Sequence, residues 1–546
     1  MYVQGVKFDE GSAWSEIVQC CLRLNSDPNL GDAWWRLGNA MSSGLKIVVN
    51  GVEYTNQQCY QQALRCNPDY SVAWNNISYT MADDETVVVN GKEYTKQECV
   101  VEALRCDPDY SHAWNSLSLT LTHEHVVTVN GKAYTKQACL AEALRCDPGC
   151  AQAWNNASNC IERDETVVVN GAPHTKQQCL LEALHLSPDY SHAWNNLANT
   201  LITGQAIAVN GQEYTKQECV VEALRCDPNY SSAWNTLSRA LSEGEVVTVN
   251  GKPYTTQKCL LEALRISPDF SRGWNNISYT VAEGETVVVD GKEYTKQECV
   301  VEALRCDPDY SHAWNSLSLT LTHEQVVTVN GKAYTKQACL TEALRCDPGC
   351  AQAWNNAGNA VDGAMILAGK MYTAQECYLQ ALRCDPSSSH AWNNVTLRMA
   401  DDQSVHVDGK PYTKQQCLLE ALRLSPDYNH AWNNLANTVA GIQTVTLNGI
   451  EYTNQQCYQQ ALRCDPNYSH AWNNITTTMG DGETAAVNGQ EYTRQGCLVE
   501  ALRCDPNYGV AWRNLGNILA PDEAVTVNGN VYTKEQCLAA AKAALE

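Results

Sequence analysis

Apolar residues recur at helical spacing in two short segments of every forty-residue stretch of this chain. In one example, Cys99, Ala103 and Leu104 follow Thr95 on one face of a predicted helix. Thr95 and Glu98 have the spacing of a capping box, in which each side chain bonds the backbone amide of the other residue. We therefore predict that this helix begins directly after Thr95.

A second helix is predicted after the turn at residues 107–110. Pro108 stops the first helix, because proline lacks an amide hydrogen and disfavours helical geometry at the residue before it. Ser111 can cap the next helix, in which Trp114 and Leu117 begin an apolar stripe. Each unit is thus predicted to contain two amphipathic helices that pack antiparallel.

A β-hairpin is predicted between the tryptophan-bearing helix and the next cysteine-bearing helix. Residues 126–134 are rich in β-formers and are interrupted by Asn130-Gly131, the strongest short-range signal for a type I′ turn. A lone two-stranded hairpin is marginal in water. Two strands occupy about 9.6 Å, close to the spacing of about 8–10 Å between packed helices. We therefore predict that successive hairpins pair into one continuous ribbon along the edge.

The tryptophans carry this pattern along almost the whole chain. They recur forty residues apart, with a two-residue shortening after the ninth: Trp34, Trp74, Trp114, Trp154, Trp194, Trp234, Trp274, Trp314, Trp354, Trp392, Trp432, Trp472 and Trp512. Such a period is typical of a solenoid, in which each repeat contacts only its neighbours. We predict a degenerate half-unit at 1–31, tandem helix–hairpin–helix repeats over 32–530 and a closing helix at 531–546. Residues 85–157 and 285–357 differ at only three positions, which indicates duplication of a five-unit block.

The repeated unit resembles the tetratricopeptide repeat. The residues that match the family pattern are Trp114, Leu117, Ser118, Leu121, Ala103 and Asp107-Pro108. The resemblance implies an α-solenoid that winds as a right-handed superhelix. This unit departs from the family in length, because it has about forty residues where the family has about thirty-four. The hairpin accounts for the difference.

Polar residues beside each tryptophan are the candidate binding residues. The resemblance implies that this part of the first helix lines a concave groove, and that an asparagine two residues after the tryptophan bonds the backbone of an extended peptide. The asparagines at that position are Asn76, Asn156, Asn196, Asn276, Asn356, Asn394, Asn434, Asn474 and Asn514. The histidines two residues before the tryptophan include His112, His192, His312 and His430. The family's clamp for acidic tails uses lysine or arginine along this face, where this chain has mostly histidine, glutamine or serine and only Arg239 and Arg272 as exceptions, so the sequence does not favour an acidic tail as the ligand. In a second interpretation the amides bridge neighbouring helices, and both interpretations stay open.

Composition narrows the classes of partner. The net charge of -23 repels phosphates, so nucleic acid is not an expected partner. No apolar run reaches the eighteen residues that a membrane span needs. Thirteen of the 27 cysteines share one helix position and nine lie seven residues later, where leucine or isoleucine also occurs. We interpret both rows as buried thiols, which favours the reducing cytoplasm. An extracellular location is the alternative, if a signal was removed and the Asn-x-Ser/Thr triplets carry glycans.

No catalytic function, metal or cofactor is predicted. The nearest approach to a catalytic motif is His123-Glu124-His125, and the corresponding unit has Gln325 in place of His125. The sequence favours a non-catalytic repeat scaffold for protein–protein interaction that binds an extended peptide or protein segment in the groove. The alternative is a structural protomer that assembles head to tail into a filament through the ends of the solenoid.

Overall fold

The computed structural model describes residues 2–3, 6–7, 12–42, 44–122, 125–161, 165–202, 204–361, 363–439 and 443–545. The chain forms two compact units, Met1–Pro268 and Asp269–Glu546. His123 and Glu124 of the motif discussed above lie outside the described residues.

The described residues form 27 α-helices. In the first unit they are α1 (Ser12–Ser26), α2 (Gly31–Ala40), α3 (Asn56–Cys66), α4 (Ser71–Ser78), α5 (Lys96–Cys106), α6 (Ser111–Leu119), α7 (Lys136–Cys146), α8 (Ala151–Asn159), α9 (Lys176–Leu186), α10 (Ser191–Thr200), α11 (Lys216–Cys226), α12 (Ser231–Ala240) and α13 (Thr256–Ile266). In the second unit they are α14 (Ser271–Ser278), α15 (Lys296–Cys306), α16 (Ser311–Leu319), α17 (Lys336–Cys346), α18 (Ala351–Ala360), α19 (Ala374–Cys384), α20 (Ser389–Thr396), α21 (Lys414–Leu424), α22 (Asn429–Thr438), α23 (Asn454–Cys464), α24 (Ser469–Ile475), α25 (Arg494–Cys504), α26 (Gly509–Ile518) and α27 (Lys534–Leu545), with a short 3₁₀ helix at Thr476–Thr478.

Short antiparallel strands accompany the helices. The first unit has β1 (Tyr2–Val3), β2 (Val6–Lys7), β3 (Ile47–Val49), β4 (Val52–Tyr54), β5 (Thr86–Val89), β6 (Lys92–Thr95), β7 (Val126–Val129), β8 (Lys132–Thr135), β9 (Thr166–Val169), β10 (Ala172–Thr175), β11 (Ala206–Val209), β12 (Gln212–Thr215), β13 (Val247–Val249) and β14 (Lys252–Tyr254). The second has β15 (Thr286–Val289), β16 (Lys292–Thr295), β17 (Val326–Val329), β18 (Lys332–Thr335), β19 (Ala364–Leu367), β20 (Lys370–Thr373), β21 (Ser404–Val407), β22 (Lys410–Thr413), β23 (Val445–Leu447), β24 (Ile450–Tyr452), β25 (Thr484–Val487), β26 (Gln490–Thr493), β27 (Ala524–Val527) and β28 (Asn530–Thr533).

The even-numbered, tryptophan-bearing helices are called A helices here, and the odd-numbered helices are called B helices. Within each unit an A helix packs against the B helix that follows its hairpin, and that B helix packs against the next A helix, as α4, α5 and α6 do. Cys99 and Leu104 of α5 and Leu117 of α6 are fully buried between them. The predicted α-solenoid of tetratricopeptide-like helix pairs, with a hairpin in every repeat, is therefore confirmed as the fold within each unit.

Local hydrogen bonds set the ends of the B helices. The Thr95 hydroxyl accepts a bond from the Glu98 amide at 3.2 Å, and the Glu98 carboxylate accepts one from the Thr95 amide at 2.8 Å. This backbone bond, with that from the Thr95 hydroxyl, lowers the pKa of Glu98. At the other end, the Asp109 amide donates to the Asp107 carboxylate at 3.1 Å, which fixes the turn around Pro108. The predicted capping box and turn are confirmed. The predicted cap at Ser111 is wrong, because Tyr110 holds the cap position of α6 and the buried Ser111 hydroxyl makes no hydrogen bond.

Each periodic tryptophan connects a turn, an A helix and a hairpin. Trp114 is 3% exposed, and its indole Nε1 donates to the Pro108 carbonyl at 2.8 Å. Its ring centroid lies 4.6 Å from that of Tyr134 on β8. The ring pair recurs at all thirteen periodic tryptophans, with His174 in the tyrosine position against Trp154. The hairpin is therefore packed into the repeat and is not a loose insertion.

The predicted ribbon of hairpins is wrong for the described strands. Every sheet they form has two strands, so no hairpin pairs with the next one. A B helix lies between successive hairpins, since α3 contacts both β4 and β5. Gln61 of α3 donates from Nε2 to the Val88 carbonyl on the outer edge of β5 at 3.0 Å. The helix thus occupies the space that a neighbouring hairpin would need. It also bonds the strand edge with which that hairpin would pair.

The hairpin turns are of the predicted type, and one of them has an unusual residue. Both central residues have positive φ, as in Asn130 (49°) and Gly131 (80°). The Asn130 side chain also donates from Nδ2 to the Leu104 carbonyl of α5 at 3.2 Å, which ties the turn to that helix. Ala368 stands at the same turn position with φ 49° and has no side-chain donor.

Replacing Ala368 by asparagine is expected to stabilise the second unit by about 1–2 kcal/mol. Asparagine tolerates a positive φ better than alanine does, and its amide can reach the preceding B helix as Asn130 does. The midpoint of urea unfolding should rise accordingly. Ala486→Asn makes the same chemical change at an exposed position of strand β25 and should leave the urea midpoint unchanged. An equal response of the two variants would contradict the prediction.

The two rows of cysteines differ in burial. All thirteen cysteines at the first position, from Cys59 to Cys537, are fully buried, and burial raises the pKa of the Cys99 thiol to about 12. The second row was predicted to be buried as well, and that prediction is wrong. Cys106 is half-buried, and Leu186 at the same position is 41% exposed, because this residue ends the B helix beside the preceding turn. All 27 cysteines are free thiols in the structure.

Candidate functional site: the amide face of the A helices

Three positions on each A helix form the candidate site. They are an inner position one residue after the tryptophan, an outer position two residues after it, and a position two residues before it. Asn433, at an inner position, is 5% exposed, whereas Asn434, at the next, outer position, is half-exposed. We call the surface made by the outer positions and the positions before the tryptophans the amide face.

Inner and outer asparagines of neighbouring A helices bond one another in a chain that we call the amide ladder. The outer Asn434 donates from Nδ2 to Oδ1 of the inner Asn393 on the preceding A helix at 2.9 Å. Asn393 in turn donates to Oδ1 of Asn394 at 3.1 Å, and Asn394 donates to Asn355 at 3.0 Å. The ladder continues to the C-terminal side through Asn433, Asn474, Asn473 and Asn514 at 2.9–3.4 Å.

The other predicted asparagines follow the same arrangement in their own units. Asn156 donates to Asn115 and Asn196 to Asn155, both at 2.9 Å, and Asn356 donates to Asn315 at 2.9 Å. Asn76 lies 2.8 Å from the Asn39 amide, and Asn276 is half-exposed on α14. Bridging of neighbouring helices, the second interpretation, is thus present. A side-chain amide has two N–H donors and two acceptor lone pairs, so these bonds leave each outer amide with further capacity.

Histidines and tyrosines form a second feature of the amide face. His112, His192, His312 and His430 are all exposed near the start of their A helices. In the second unit the rings alternate in a column, with neighbouring centroids 4.6–5.8 Å apart: His390, Tyr428, His430, Tyr468, His470 and Tyr508. His430 is exposed on one side, but its partial desolvation lowers its pKa, the nearby His470 lowers the pKa further, and Asp465 opposes both.

Sequence reasoning missed the tyrosines of this column. They close the Asp-Pro or Ser-Pro turn before each A helix, and their regular recurrence was the available signal. Burial raises the pKa of Tyr468 to about 12, so it remains a neutral phenol. Of the two predicted basic residues, Arg239 is exposed on α12 in the first unit and Arg272 on α14 in the second.

Apolar side chains at a fourth position were also missed. Five residues after the tryptophan, Tyr79, Leu119, Tyr279, Leu319 and Leu397 are 56–58% exposed. Other repeats carry asparagine or arginine there, as at Asn199 and Arg239. The amide face is therefore uniform in its ladder but varies from repeat to repeat in the residue that flanks it.

Neither a membrane span nor a metal site is found in the part of the chain that the structure describes. Of the helices with described positions, none is both long and apolar enough to cross a bilayer. Likewise, no group of three or more histidine, cysteine, aspartate and glutamate side chains within the described ranges could hold a metal ion.

Comparisons with known proteins give only distant similarities. No protein-family model and no curated protein matches the chain. Among solved structures it is similar to the APC/C hetero-tetramer Cut9–Hcn1, with 13% identity, a TM-score of 0.42, and coverage of 93% of this chain and 89% of that one. It is also similar to yeast Tom70, with 13% identity, a TM-score of 0.29, and coverage of 97% and 96%. At these TM-scores neither similarity carries an argument, so the fold assignment rests on the helix and hairpin contacts above.

Proposed function

We propose that this protein is a non-catalytic scaffold that holds an extended segment of another protein along the amide face of its A helices. The observation that carries the proposal is the amide ladder, because it fixes half-exposed outer amides on successive helices. Each outer amide keeps a donor and an acceptor for the backbone of a bound segment. Most residues of the face carry amides, imidazoles or hydroxyls, a composition that suits binding better than bond breaking.

The ladder also lowers the cost of binding. A side chain that is already held by hydrogen bonds loses little conformational entropy when a ligand contacts it. Packed helices lie about 8–10 Å apart and an extended chain rises about 3.3 Å per residue. One A helix therefore corresponds to about three residues of the bound segment. Uncharged amides select for backbone groups and accept many side chains, which fits a partner recognised by its extended conformation.

A phage-displayed random peptide library tests the proposal. Peptides selected on the whole chain are counter-selected on the double variant Asn394→Arg and Asn434→Arg, which blocks the face in the second unit. Arginine already stands at the outer position as Arg36, so the helices tolerate it. We expect peptides that survive counter-selection to bind the variant at least tenfold more weakly than the native chain, because the long side chains cover the amides.

The matched control carries Thr446→Arg and Thr526→Arg, which add the same charge on exposed hairpin positions. The control keeps an intact amide face and should still bind the selected peptides. Counter-selection on it should therefore remove all of them from the pool. Circular dichroism melting curves establish that both variants are folded. Failure of any peptide to survive counter-selection on the face variant would refute the proposal. Head-to-tail self-assembly, the second predicted function, stays a prediction.

A further inference from the structure

The amide ladder is broken where the outer residue is not asparagine. Ser316 stands at an outer position, and its hydroxyl donates to the His312 carbonyl of its own helix at 2.9 Å. The inner Asn275 on the preceding A helix is 3% exposed, and its Oδ1 has no hydrogen-bond partner. The same arrangement occurs at Ser116, where Oδ1 of Asn75 is buried and unpartnered. Each break thus leaves a buried acceptor where other repeats supply an amide donor.

A buried carbonyl oxygen without a donor is unfavourable and gains from any N–H that reaches it. Elsewhere in the ladder the donor is Nδ2 of an outer asparagine, as with Asn434 on Asn393. At the break, Tyr279 directly follows α14, and its hydroxyl lies 2.6 Å from the Ser316 hydroxyl on α16. The Tyr279 side chain is 58% exposed, so it can rotate away from Ser316 when a ligand approaches.

Exposed apolar side chains lie near each break, and one of them also lines an open cavity. Leu319, one turn after Ser316, is 56% exposed, and it also lines a cavity of about 550 Å³. Val326 forms a further part of the wall, and Glu283, Glu285 and Lys296 lie at the same cavity. The corresponding first-unit residues Tyr79 and Leu119 are 58% and 56% exposed. Both breaks therefore combine a buried acceptor with an exposed aromatic ring and an exposed leucine.

A third break differs in its surroundings and supplies an internal comparison. Thr236 at an outer position donates to the Ser232 carbonyl at 2.9 Å, and Oδ1 of Asn195 is left without a partner. The flanking residues there are Asn199 and Arg239 in place of tyrosine and leucine. This break offers the acceptor without the apolar surface, so it has only one of the two features.

We propose that the breaks at Asn75/Ser116 and Asn275/Ser316 are two equivalent docking sites for an extended, apolar, non-acidic peptide segment. A backbone N–H of the segment donates to Oδ1 of Asn275 or Asn75, and an apolar side chain packs against the adjacent tyrosine and leucine. The segment is non-acidic because the chain has a net charge of -23, and because two carboxylates, Glu283 and Glu285, outnumber the one lysine, Lys296, at the cavity that Leu319 lines. This inference rests on the proposed function and specifies where along the amide face a segment is fixed.

The test is to complete the ladder with the residue that the chain itself uses. The double variant Ser116→Asn and Ser316→Asn supplies the missing donors and should melt at a higher temperature than the native chain. The probe is a rhodamine-labelled octapeptide of alternating leucine and serine with a C-terminal lysine amide. Fluorescence anisotropy should show two sites per native chain and at least tenfold weaker binding to the variant, because the acceptors are already bonded.

Two controls separate a hydrogen bond from a general effect of substitution. Ser187→Asn with Ser425→Asn makes the same change at the ends of α9 and α21, where Asn67 stands in another repeat, and should leave the affinity unchanged. Two further peptides carry N-methyl groups on either the odd or the even backbone nitrogens. Because alternate N–H groups of an extended chain point in opposite directions, only one of the two should lose binding.

Three results would each overturn the docking sites. They are absence of probe binding, unchanged affinity of the Ser116→Asn, Ser316→Asn variant for the probe, and equal affinities of the two N-methylated peptides. These results are independent of the library experiment on Asn394 and Asn434. Peptides that survive that counter-selection would uphold the proposed function even if the break sites fail. Conversely, if the break sites bind the probe while no library peptide survives, the proposed binding along the amide face is refuted and only the break sites stand.

Discussion

An alanine in place of Trp314 is expected to lower the free energy of unfolding of the second unit by about 3–5 kcal/mol, as is usual for a buried tryptophan. Trp314 is 3% exposed, and its ring centroid lies 4.6 Å from that of Tyr334 on β18. Its Nε1 also donates to the Pro308 carbonyl at 2.8 Å. One substitution therefore removes contacts to the turn, the hairpin and the helix core together.

Two further variants divide this loss into its parts. Trp314→Phe keeps an aromatic ring but removes the indole donor, and it should cost about 1 kcal/mol for the hydrogen bond in addition to some packing. A double-mutant cycle with Tyr334→Ala should give a coupling energy of about 0.5–1.5 kcal/mol for the ring pair. Urea titrations followed by circular dichroism measure the losses, and hydrogen exchange of α16 reports the local opening. Additive losses in the cycle would show that the hairpin is not held by the tryptophan.

The hairpin makes the forty-residue repeat a single packed unit. Its strand residue Tyr134 packs on Trp114 of the preceding A helix, while its turn residue Asn130 bonds the B helix before that. A repeat of two helices alone has no such contacts. The extra residues thus add a connection between two helix pairs, and a solenoid built of them gains stability from both helix packing and hairpin contacts.

The elements predicted correctly are those set by interactions between close neighbours in sequence. The capping box at Thr95 spans four residues, and the Asn-Gly turn needs only the φ preferences of two. The ribbon of hairpins was mispredicted because it depends on which element lies between successive hairpins. Helix α3 occupies that place, and no spacing within one repeat reveals it.

The cysteine rows show a different limit of sequence reasoning. Exchange of cysteine with leucine or isoleucine was interpreted as evidence of a core position. At Leu186 the side chain is 41% exposed, because a half-buried site at a helix end accepts apolar residues of several sizes. Interchange of apolar residue types at one repeat position therefore indicates that the side chain packs against the protein on one side. It does not establish that the side chain is buried on all sides.

Sequence reasoning proposed that amides beside the tryptophans bridge neighbouring helices, but it did not identify the bonded partners. Asparagine two residues after nine of the thirteen periodic tryptophans marked the outer residues from Asn76 to Asn514. Their partners lie about forty residues away, as Asn393 does from Asn434, so the ladder appears only when neighbouring A helices are placed side by side. The breaks at Ser116 and Ser316 could not be recognised from the sequence for the same reason. A serine marks a break only where it lies opposite a buried asparagine that needs a donor, and this is known only from the packed helices.

A threonine in place of Gly358 is expected to destabilise the second unit by about 1–3 kcal/mol through overpacking. Gly358 of α18 faces Tyr378 of α19, and a Cβ at Gly358 would lie 2.5 Å from Cε1 of the Tyr378 ring. Tyr378 is 1% exposed and has no free volume in which to move. The urea midpoint of Gly358→Thr measures the loss, and hydrogen exchange should show faster opening of α18 and α19.

The chain itself indicates the compensating change. In the next helix pair the two corresponding positions are Thr396 and Leu418, both fully buried. Gly358→Thr combined with Tyr378→Leu reproduces that pair and should be less destabilised than the sum of the two single variants, because each residue then fills the space that the other vacates. Losses that add within about 0.5 kcal/mol would mean that the two positions are packed independently. A coupled response would mean that, at these two pairs, the size of the A-helix residue matches that of its B-helix partner, with glycine facing tyrosine and threonine facing leucine.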